Sequence, residues 1–355
     1  MSKLSNSAVT LGRRLLVTVA ALVLPAVAFG QFGFGGEPPA RNKTTFTVLN
    51  NPGDPNFNQL LGINDGRVIV GYFGDGATVA NNGYVLVPKN HYAVENFLAV
   101  PKGDTASQTQ AIGINNGVMP DIVGFYTDNA TGFTHGFLDV NGVQSAVDDP
   151  AGLAPHVTTP TQNLLGINDV GQAAGFWVDN NGNEHGFVVQ LNMQTPKDSK
   201  FTEIPPSMFK GAVGTQASGI TNNGEVCGFW TDANGNNHGF FGRLGRLSTF
   251  HASNNATSTS PFGCNNRGEI VGSFTDGAGN VHGFLSMGGR LFQFDAPGSS
   301  QTAAFGVQGT LINGVNDNGD IVGFFSDGTK VDSFANINAN NGNGFGFGHF
   351  FGDPR

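Results

Sequence analysis

Between residues 44 and 350 the chain is a succession of short apolar runs bounded by Gly, Asn and Asp. Six times a run ends in one step: Gly62-Ile63-Asn64, Gly113-Ile114-Asn115, Gly166-Ile167-Asn168, Gly219-Ile220-Thr221, Gly263-Cys264-Asn265 and Gly314-Val315-Asn316. These glycines are 51, 53, 53, 44 and 51 residues apart. A second run follows each and is apolar on both faces rather than alternating: Ile69-Val70-Gly71-Tyr72-Phe73, Ile122-Val123-Gly124-Phe125-Tyr126, Ala173-Ala174-Gly175-Phe176-Trp177, Val226-Cys227-Gly228-Phe229-Trp230, Ile270-Val271-Gly272-Ser273-Phe274 and Ile321-Val322-Gly323-Phe324-Phe325. Two residues later stands Asp75, Asp128, Asp179, Asp232, Asp276 or Asp327. A third line, His-Gly-Phe, begins at His135, His185, His238 and His282; unit one has Asn82-Gly83-Tyr84 and unit six Gly348-His349-Phe350. Weaker fourth runs lie at 93–100, 143–147, 201–204, 247–251 and 291–294.

Runs of this length separated by Asn/Asp-Gly turns read as strands joined in hairpins. A strand apolar on both faces belongs to a sheet covered on both sides, as a propeller blade is by its neighbours. Four strands per unit of about 50 residues set the pattern apart from solenoid repeats. The pattern therefore predicts an all-β fold, a six-bladed β-propeller over 44–355. The mid-strand glycines, such as Gly124, cost strand stability unless another group comes close, and an aromatic ring from the adjacent blade is the expected visitor.

Unit six leaves no room for a fourth strand after Phe350, whereas 44–49 resembles one, and Asn51-Pro52-Gly53 after it matches Ala296-Pro297-Gly298. Closure of the ring by this N-terminal strand, paired beside 346–351, would remove an open sheet edge. His349 stands 22 positions after Asp327, and within that span 336–344, crowded with Asn and Gly, is expected to stay unordered.

Lys3, Arg13 and Arg14 precede an apolar run at 15–27 that ends in Ala26-Val27-Ala28, the layout of a cleaved signal peptide over 1–30. The run is too short to cross a bilayer, which takes about 20 residues. The expectation is a secreted or periplasmic chain with no membrane span after cleavage and a flexible lead-in at 31–43, rich in Gly and Pro. Arg13-Arg14 leaves the export route open between the general and the twin-arginine pathways. No cysteine stands near the cleavage point, which excludes a lipid anchor there.

Composition narrows the function. With 39% apolar residues and 31 Phe the chain has a core to build, and with a formal charge of -9 it is a poor partner for nucleic acid. Two cysteines make neither a disulfide framework nor a four-thiolate zinc site. Cys227 and Cys264 stand where other units carry Val or Ile, on strands of different blades, and are expected as free, buried thiols.

The succession Gly-Ile-Asn, Ile-Val-Gly-aromatic, Asp, His-Gly-Phe resembles the bacterial extracellular HAF-repeat family, named for its His-Ala/Gly-Phe element, across 44–351. The resemblance implies an extracellular propeller-like domain and brings no assigned reaction.

The four repeat histidines raise the thought of a metal ring, but each belongs to a different blade away from the axis, and a hydrogen bond to the preceding Asp explains them with less. Asp179-Asn180-Asn181-Gly182-Asn183 and Asp232-Ala233-Asn234-Gly235-Asn236 resemble the start of a calcium loop without its terminal Glu, and a hairpin turn accounts for them as well. Asn64, Asn115, Asn168, Asn265 and Asn316 suit a turn that bonds its own backbone. No Gly-x-Ser-x-Gly elbow occurs; Glu184, Glu203, Glu225 and Glu269 are scattered, and the non-repeated connector acids are Asp54, Asp104, Asp148 and Asp149.

Two readings stay open. One is a non-catalytic, monomeric, cofactor-free binding or scaffold propeller for a glycan, peptide or cell-surface partner. The other is a hydrolase or lactonase with an axial site, calcium-dependent as in six-bladed lactonases. For the first, Gln59, Gln110, Gln162, Gln216, Ser260 and Thr310, just ahead of the first strands, are expected to ring one mouth of the channel and hydrogen-bond a neutral ligand.

Overall fold

The computed structural model describes residues 33–34, 44–88, 92–96, 106–287 and 290–338. Six antiparallel sheets, each an up-and-down meander, form a six-bladed β-propeller. The inner strands are Asn58–Ile63, Ala106–Ile114, Gln162–Ile167, Ala212–Ile220, Ser258–Cys264 and Thr310–Val315. Each leads through an Asn/Asp turn into the apolar second strand, then a third and an outer strand.

Blade six borrows its outer strand from the start of the chain. Thr44–Val48 pairs antiparallel with Val331–Asn338, from Thr44 opposite Asn338 to Val48 opposite Phe334. Closure by the N-terminal strand is therefore correct, but its partner is not 346–351. Phe325 faces Asp332 and Gly323 faces Phe334, the register in which Tyr126 faces His135 and Gly124 faces Phe137 in blade two. Asp332-Ser333-Phe334 thus replaces His-Gly-Phe in blade six, disguised in sequence because only the phenylalanine survives. Of the segment 336–344 expected to be unordered, 336–338 is the end of the strand Val331–Asn338, whose apolar side chains fill the space between blades; 339–344 and the rest of 339–355, His349 included, lie outside the described residues. The lead-in contributes a strand too, since Gly33–Phe34 adds in parallel to the outer edge of blade five at Arg290 and Leu291.

The cores lie between blades, where successive second and third strands face each other. Phe137, Phe187, Phe240, Phe284 and Phe334 are fully buried, with Tyr84 in blade one. These rings, not those of a neighbouring blade, crowd the mid-strand glycines. A Cβ on Gly124 would lie 2.7 Å from the Phe137 ring and 2.0 Å from the Gln110 carbonyl oxygen. The visitor comes from the same sheet because Gly124 and Phe137 are cross-strand neighbours.

Candidate functional site

Every inner strand carries a β-bulge at one place. The register slips between Leu60 and Gly62, Ala111 and Gly113, Leu164 and Gly166, Ala217 and Gly219, Pro261 and Gly263, and Ile312 and Gly314. A bulge opposes two residues to one and re-aims the extra side chain. Here the extra residues are Leu61, Ile112, Leu165, Ser218, Phe262 and Asn313, and all six line one axial cavity of about 80 Å³ together with the glycines that follow them. The glycines pinch the channel: a Cβ on Gly166 would sit 2.9 Å from the Gly219 Cα, and one on Gly62 would sit 2.4 Å from the Ile112 carbonyl oxygen. No side chain fits there, so the blades meet backbone to backbone.

On the far side of this pinch, where the inner strands end, a ring of hydrogen bonds closes around the axis. The backbone amide of Asp65 donates to Asn116 Oδ1 at 2.8 Å, Asn116 to Asp169 at 2.7 Å, Asp169 to Asn222 at 2.9 Å, Asn222 to Asn266 at 2.7 Å, Asn266 to Asp317 at 2.8 Å, and Asp317 back to Asp65 at 2.8 Å. A second tier lies beside it, with Asn64 Nδ2 donating to the Asn115 carbonyl, Asn168 to Thr221, Asn265 to Asn316, and Asn316 to Asn64. The repeat asparagines do bond their own turns, as Asn168 Oδ1 does to the Gln172 amide at 2.8 Å, but they also tie each blade to the next. This second use is invisible in a single repeat.

Two carboxyls of the ring are pushed in opposite directions. Burial raises Asp65, with Asp317, Asp169 and Asp320 adding repulsion against the pull of the Asp317 amide. Burial also acts on Asp169, yet hydrogen bonds from Asn222 and Asn116 outweigh it and hold that carboxyl low. The polar atoms at this mouth are spent mainly on one another. A small cavity of about 60 Å³ remains, room for a few waters.

The six residues expected to ring the opposite mouth do not form one equivalent set. Gln59, Gln110, Gln216 and Ser260 face Tyr72, Phe125, Phe229 and Ser273 of the second strand, whereas Gln162 faces Trp177 and Thr310 faces Phe325, one position further out. Side chains alternate along a strand, so Gln162 and Thr310 turn to the other face. Their equivalents are Asn58, Thr109, Thr215 and Thr259, and all six bond backbone that precedes their own strand: Thr310 accepts from the Ala296 amide, Gln162 bonds both the amide and the carbonyl of Asp149, and Thr109 and Thr215 accept from the Gly83 and Gly186 amides in the third strand of the preceding blade. Asn163 and Leu311 stand in register with Gln59 instead. Gln110 donates to Asn81 Oδ1, Gln216 to Ser218 Oγ, and Ser260 accepts from Asn237. None of the six is among the residues lining either axial cavity.

The residues that do face the axis from the connector side are the six bulged ones, which the sequence reading passed over. Their signal is weak but real: the position before each repeat glycine reads Leu, Ile, Leu, Ser, Phe, Asn, and its departures fall in three consecutive blades.

The repeat histidines lock their blades. His185 stacks on Trp177 at 4.1 Å and His238 on Trp230 at 4.0 Å, each pair directly cross-strand. Nε2 of each reaches the preceding Asp, 3.4 Å for His185 to Asp179, 3.3 Å for His238 to Asp232 and 3.6 Å for His282 to Asp276. The other nitrogen meets an acid from beyond, Glu203 at 2.9 Å and Asp295 at 3.0 Å, and in blade two His135 Nδ1 meets Asp148 at 2.7 Å. The loops that resemble calcium sites turn their carboxylates inward: Asp179 Oδ1 accepts the Asn181 and Asn183 amides, and Oδ2 the Asn183 side chain. Burial works against these bonds, but together they hold Asp179 down at about 2. With both oxygens accepting from N–H donors of the same loop, the carboxylate closes the hairpin turn on itself.

Among the described residues no group of three or more His, Cys, Asp and Glu is placed to hold a metal. Of the connector acids, Asp54 caps the Asn56 amide, Asp148 holds His135 and Asp149 caps Ala151; Asp104 lies outside the described residues. Glu184 stands apart: burial alone pushes its carboxyl up to about 7, at the start of a third strand against the Gly214 backbone and away from both axial cavities.

Comparison with solved structures returns propellers. A six-bladed fucose-recognising lectin from Aleuria aurantia matches with a TM-score of 0.50 and 10% identity, over 79% of this chain and 91% of the lectin. TolB from Acinetobacter baumannii matches at 12% identity and a TM-score of 0.42, over 76% of this chain and 64% of TolB. Trypanosoma rangeli sialidase matches at 8% identity and 0.47, over 83% of this chain and 57% of the sialidase. The chain thus spans less than two thirds of the last two. Likeness at such identity is one of fold, and the chain is a six-bladed β-propeller. No family model matches the sequence, and no curated protein does.

Proposed function

We propose that this chain is an exported, non-catalytic propeller that binds a glycan or peptide partner at the axial cup on the connector face. The observation that carries this is Asn313. It stands in a ring with Leu61, Ile112, Leu165, Ser218 and Phe262, and its Oδ1 is enclosed without a hydrogen-bond partner among the described residues. A polar group left so costs about 1–3 kcal/mol, a cost expected where a ligand repays it. The opposite mouth offers less, since its amides and carboxylates already bind each other. No carboxylate lines the cup, which removes the acid and base an axial hydrolase would use there.

Export rests on the signal-like residues 1–30 and on the resemblance to HAF repeats. The Aleuria aurantia lectin supports a glycan as ligand only to the extent that this fold carries one there. Gln59, Gln110, Gln216 and Ser260 stand two residues upstream of the bulges on four of the same strands.

Screening the full chain on glycan and peptide arrays, beside a variant whose cup is filled by Leu165→Trp, tests the reading. Binding lost in the variant at an unchanged melting temperature supports it. Turnover of a lactone or glycoside panel that stops with chelator would replace it with the hydrolase.

A further inference from the structure

We infer that the cup is a receptor for an acetamido group, as carried by N-acetylated amino sugars. This rests on the binding reading above and names the ligand class for the same site.

The cup has two unlike halves. Leu61, Ile112 and Leu165, from blades one to three, present only hydrocarbon; Ser218, Phe262 and Asn313, from blades four to six, present a hydroxyl, an aromatic ring and an amide. A sixfold ring of one residue type has no means of orienting a ligand, whereas this ring has hydrocarbon side chains on one side and a hydroxyl and an amide on the other. The cup holds no charged side chain, so it neither neutralises an ammonium nor pairs a carboxylate or phosphate. Its volume of about 80 Å³ is the room of a few waters and suits a substituent rather than a whole sugar ring.

An acetamido group answers each of these features. Its methyl removes apolar surface from water against the leucines and isoleucine. Its carbonyl and N–H are one acceptor and one donor; Asn313, with Oδ1 enclosed, leaves Nδ2 to donate to the carbonyl, and a flip of the amide presents Oδ1 to the N–H instead. The Ser218 hydroxyl accepts from Gln216 Nε2 at 3.3 Å and keeps its own proton to donate. A bare sugar hydroxyl supplies no methyl for the hydrocarbon half, and a free amino sugar brings an ammonium into a cup with no anion to meet it, which costs binding steeply.

Titration calorimetry of the full chain with four probes tests this: the tetramer of N-acetylglucosamine, its fully deacetylated form, the glucose tetramer, and N-acetylalanine N-methylamide as a peptide source of the same group. The acetylated sugar is expected to bind at least tenfold more tightly than the other three. Asn313→Leu, which leaves the Ser218 hydroxyl as the one polar side chain among the six bulged residues, should lose at least tenfold of that affinity with the melting temperature kept or raised. Ser218→Ala should lose less.

Equal affinity for the acetylated and deacetylated tetramers, or an Asn313→Leu variant that binds as before, overturns the inference. Equal binding of the alanine amide overturns the amino sugar as the source of the group. If other ligands on the arrays bind and are lost with Leu165→Trp while acetylation has no effect, the binding reading stands and this one falls.

Discussion

Arg67 Nε donates to Asp320 Oδ2 at 2.9 Å across the seam where the last blade meets the first, with the Asp320 side chain fully buried and that of Arg67 only 10% exposed. Asn316 Nδ2 donates to the same carboxylate at 3.0 Å. The two residues are 253 positions apart, so the ion pair exists only once the ring has closed. Replacing one partner of a buried pair leaves a charge uncompensated and typically costs about 3–5 kcal/mol. Asp320→Asn should therefore lower the urea midpoint sharply, and adding Arg67→Leu should recover part of the loss. A loss below about 1 kcal/mol would show that the seam is held elsewhere.

The closing strand is expected to matter as much. Phe46 stacks on Phe334 at 5.2 Å, and Thr44–Val48 covers the edge of Val331–Asn338. Phe46→Ala should cost about 2–4 kcal/mol, less than for a fully buried ring. Deleting 44–48 should bare that edge and produce oligomers detectable by light scattering, since unpaired strand edges template association.

Glu184 sets a pH dependence opposite to the usual carboxylate. Its folded value of about 7 lies above the unfolded value near 4.3, so between those pH values the folded state holds more protons and stability falls as pH rises. Glu184→Gln should be close to neutral at pH 4 and should stabilise at pH 8 by up to roughly 3 kcal/mol. Thermal melts across that range read it directly, and a benefit equal at both pH values would refute it.

The cysteines lie closer than their separate blades suggest. A Cβ on Gly219 would meet Cys227 Sγ at 2.8 Å and Cys264 Sγ at 3.2 Å, because nothing but this glycine stands between the blades there. They are nevertheless free; Cys227 is buried and Cys264 half-buried facing the axis, rather than both buried. Burial in apolar surroundings, together with the neighbouring thiol, pushes Cys227 well above the ordinary thiol range. Unreduced protein should alkylate at both cysteines once unfolded, and when native slowly at Cys264 and not at Cys227. A mass two protons lower before reduction would mean that they are joined.

Much of this was legible along the chain. Four strands per unit, six units, the turns, and a first strand that serves the last blade all follow from local patterns: strand periodicity, Asn and Asp at turns, and the likeness of 44–49 and the Pro-Gly after it to the fourth runs. The reading failed where a repeat had drifted. Asp332-Ser333-Phe334 shares one residue with His-Gly-Phe, whereas Gly348-His349-Phe350, outside the described residues, is the better match in letters.

The candidate site was hidden for a different reason. Whether Gln162 or Asn163 stands beside Gln59 turns on one residue of register, and one residue reverses the face. The bulge that aims Leu61, Ser218 and Asn313 at the axis leaves no mark in polarity, because it is a property of pairing with the second strand. Local sequence, acting over a few residues, determined the blades. What gathers at the axis comes from six strands about 50 residues apart, and only the closed ring of blades, pressed together at glycines that admit no side chain, decided which of those residues meet.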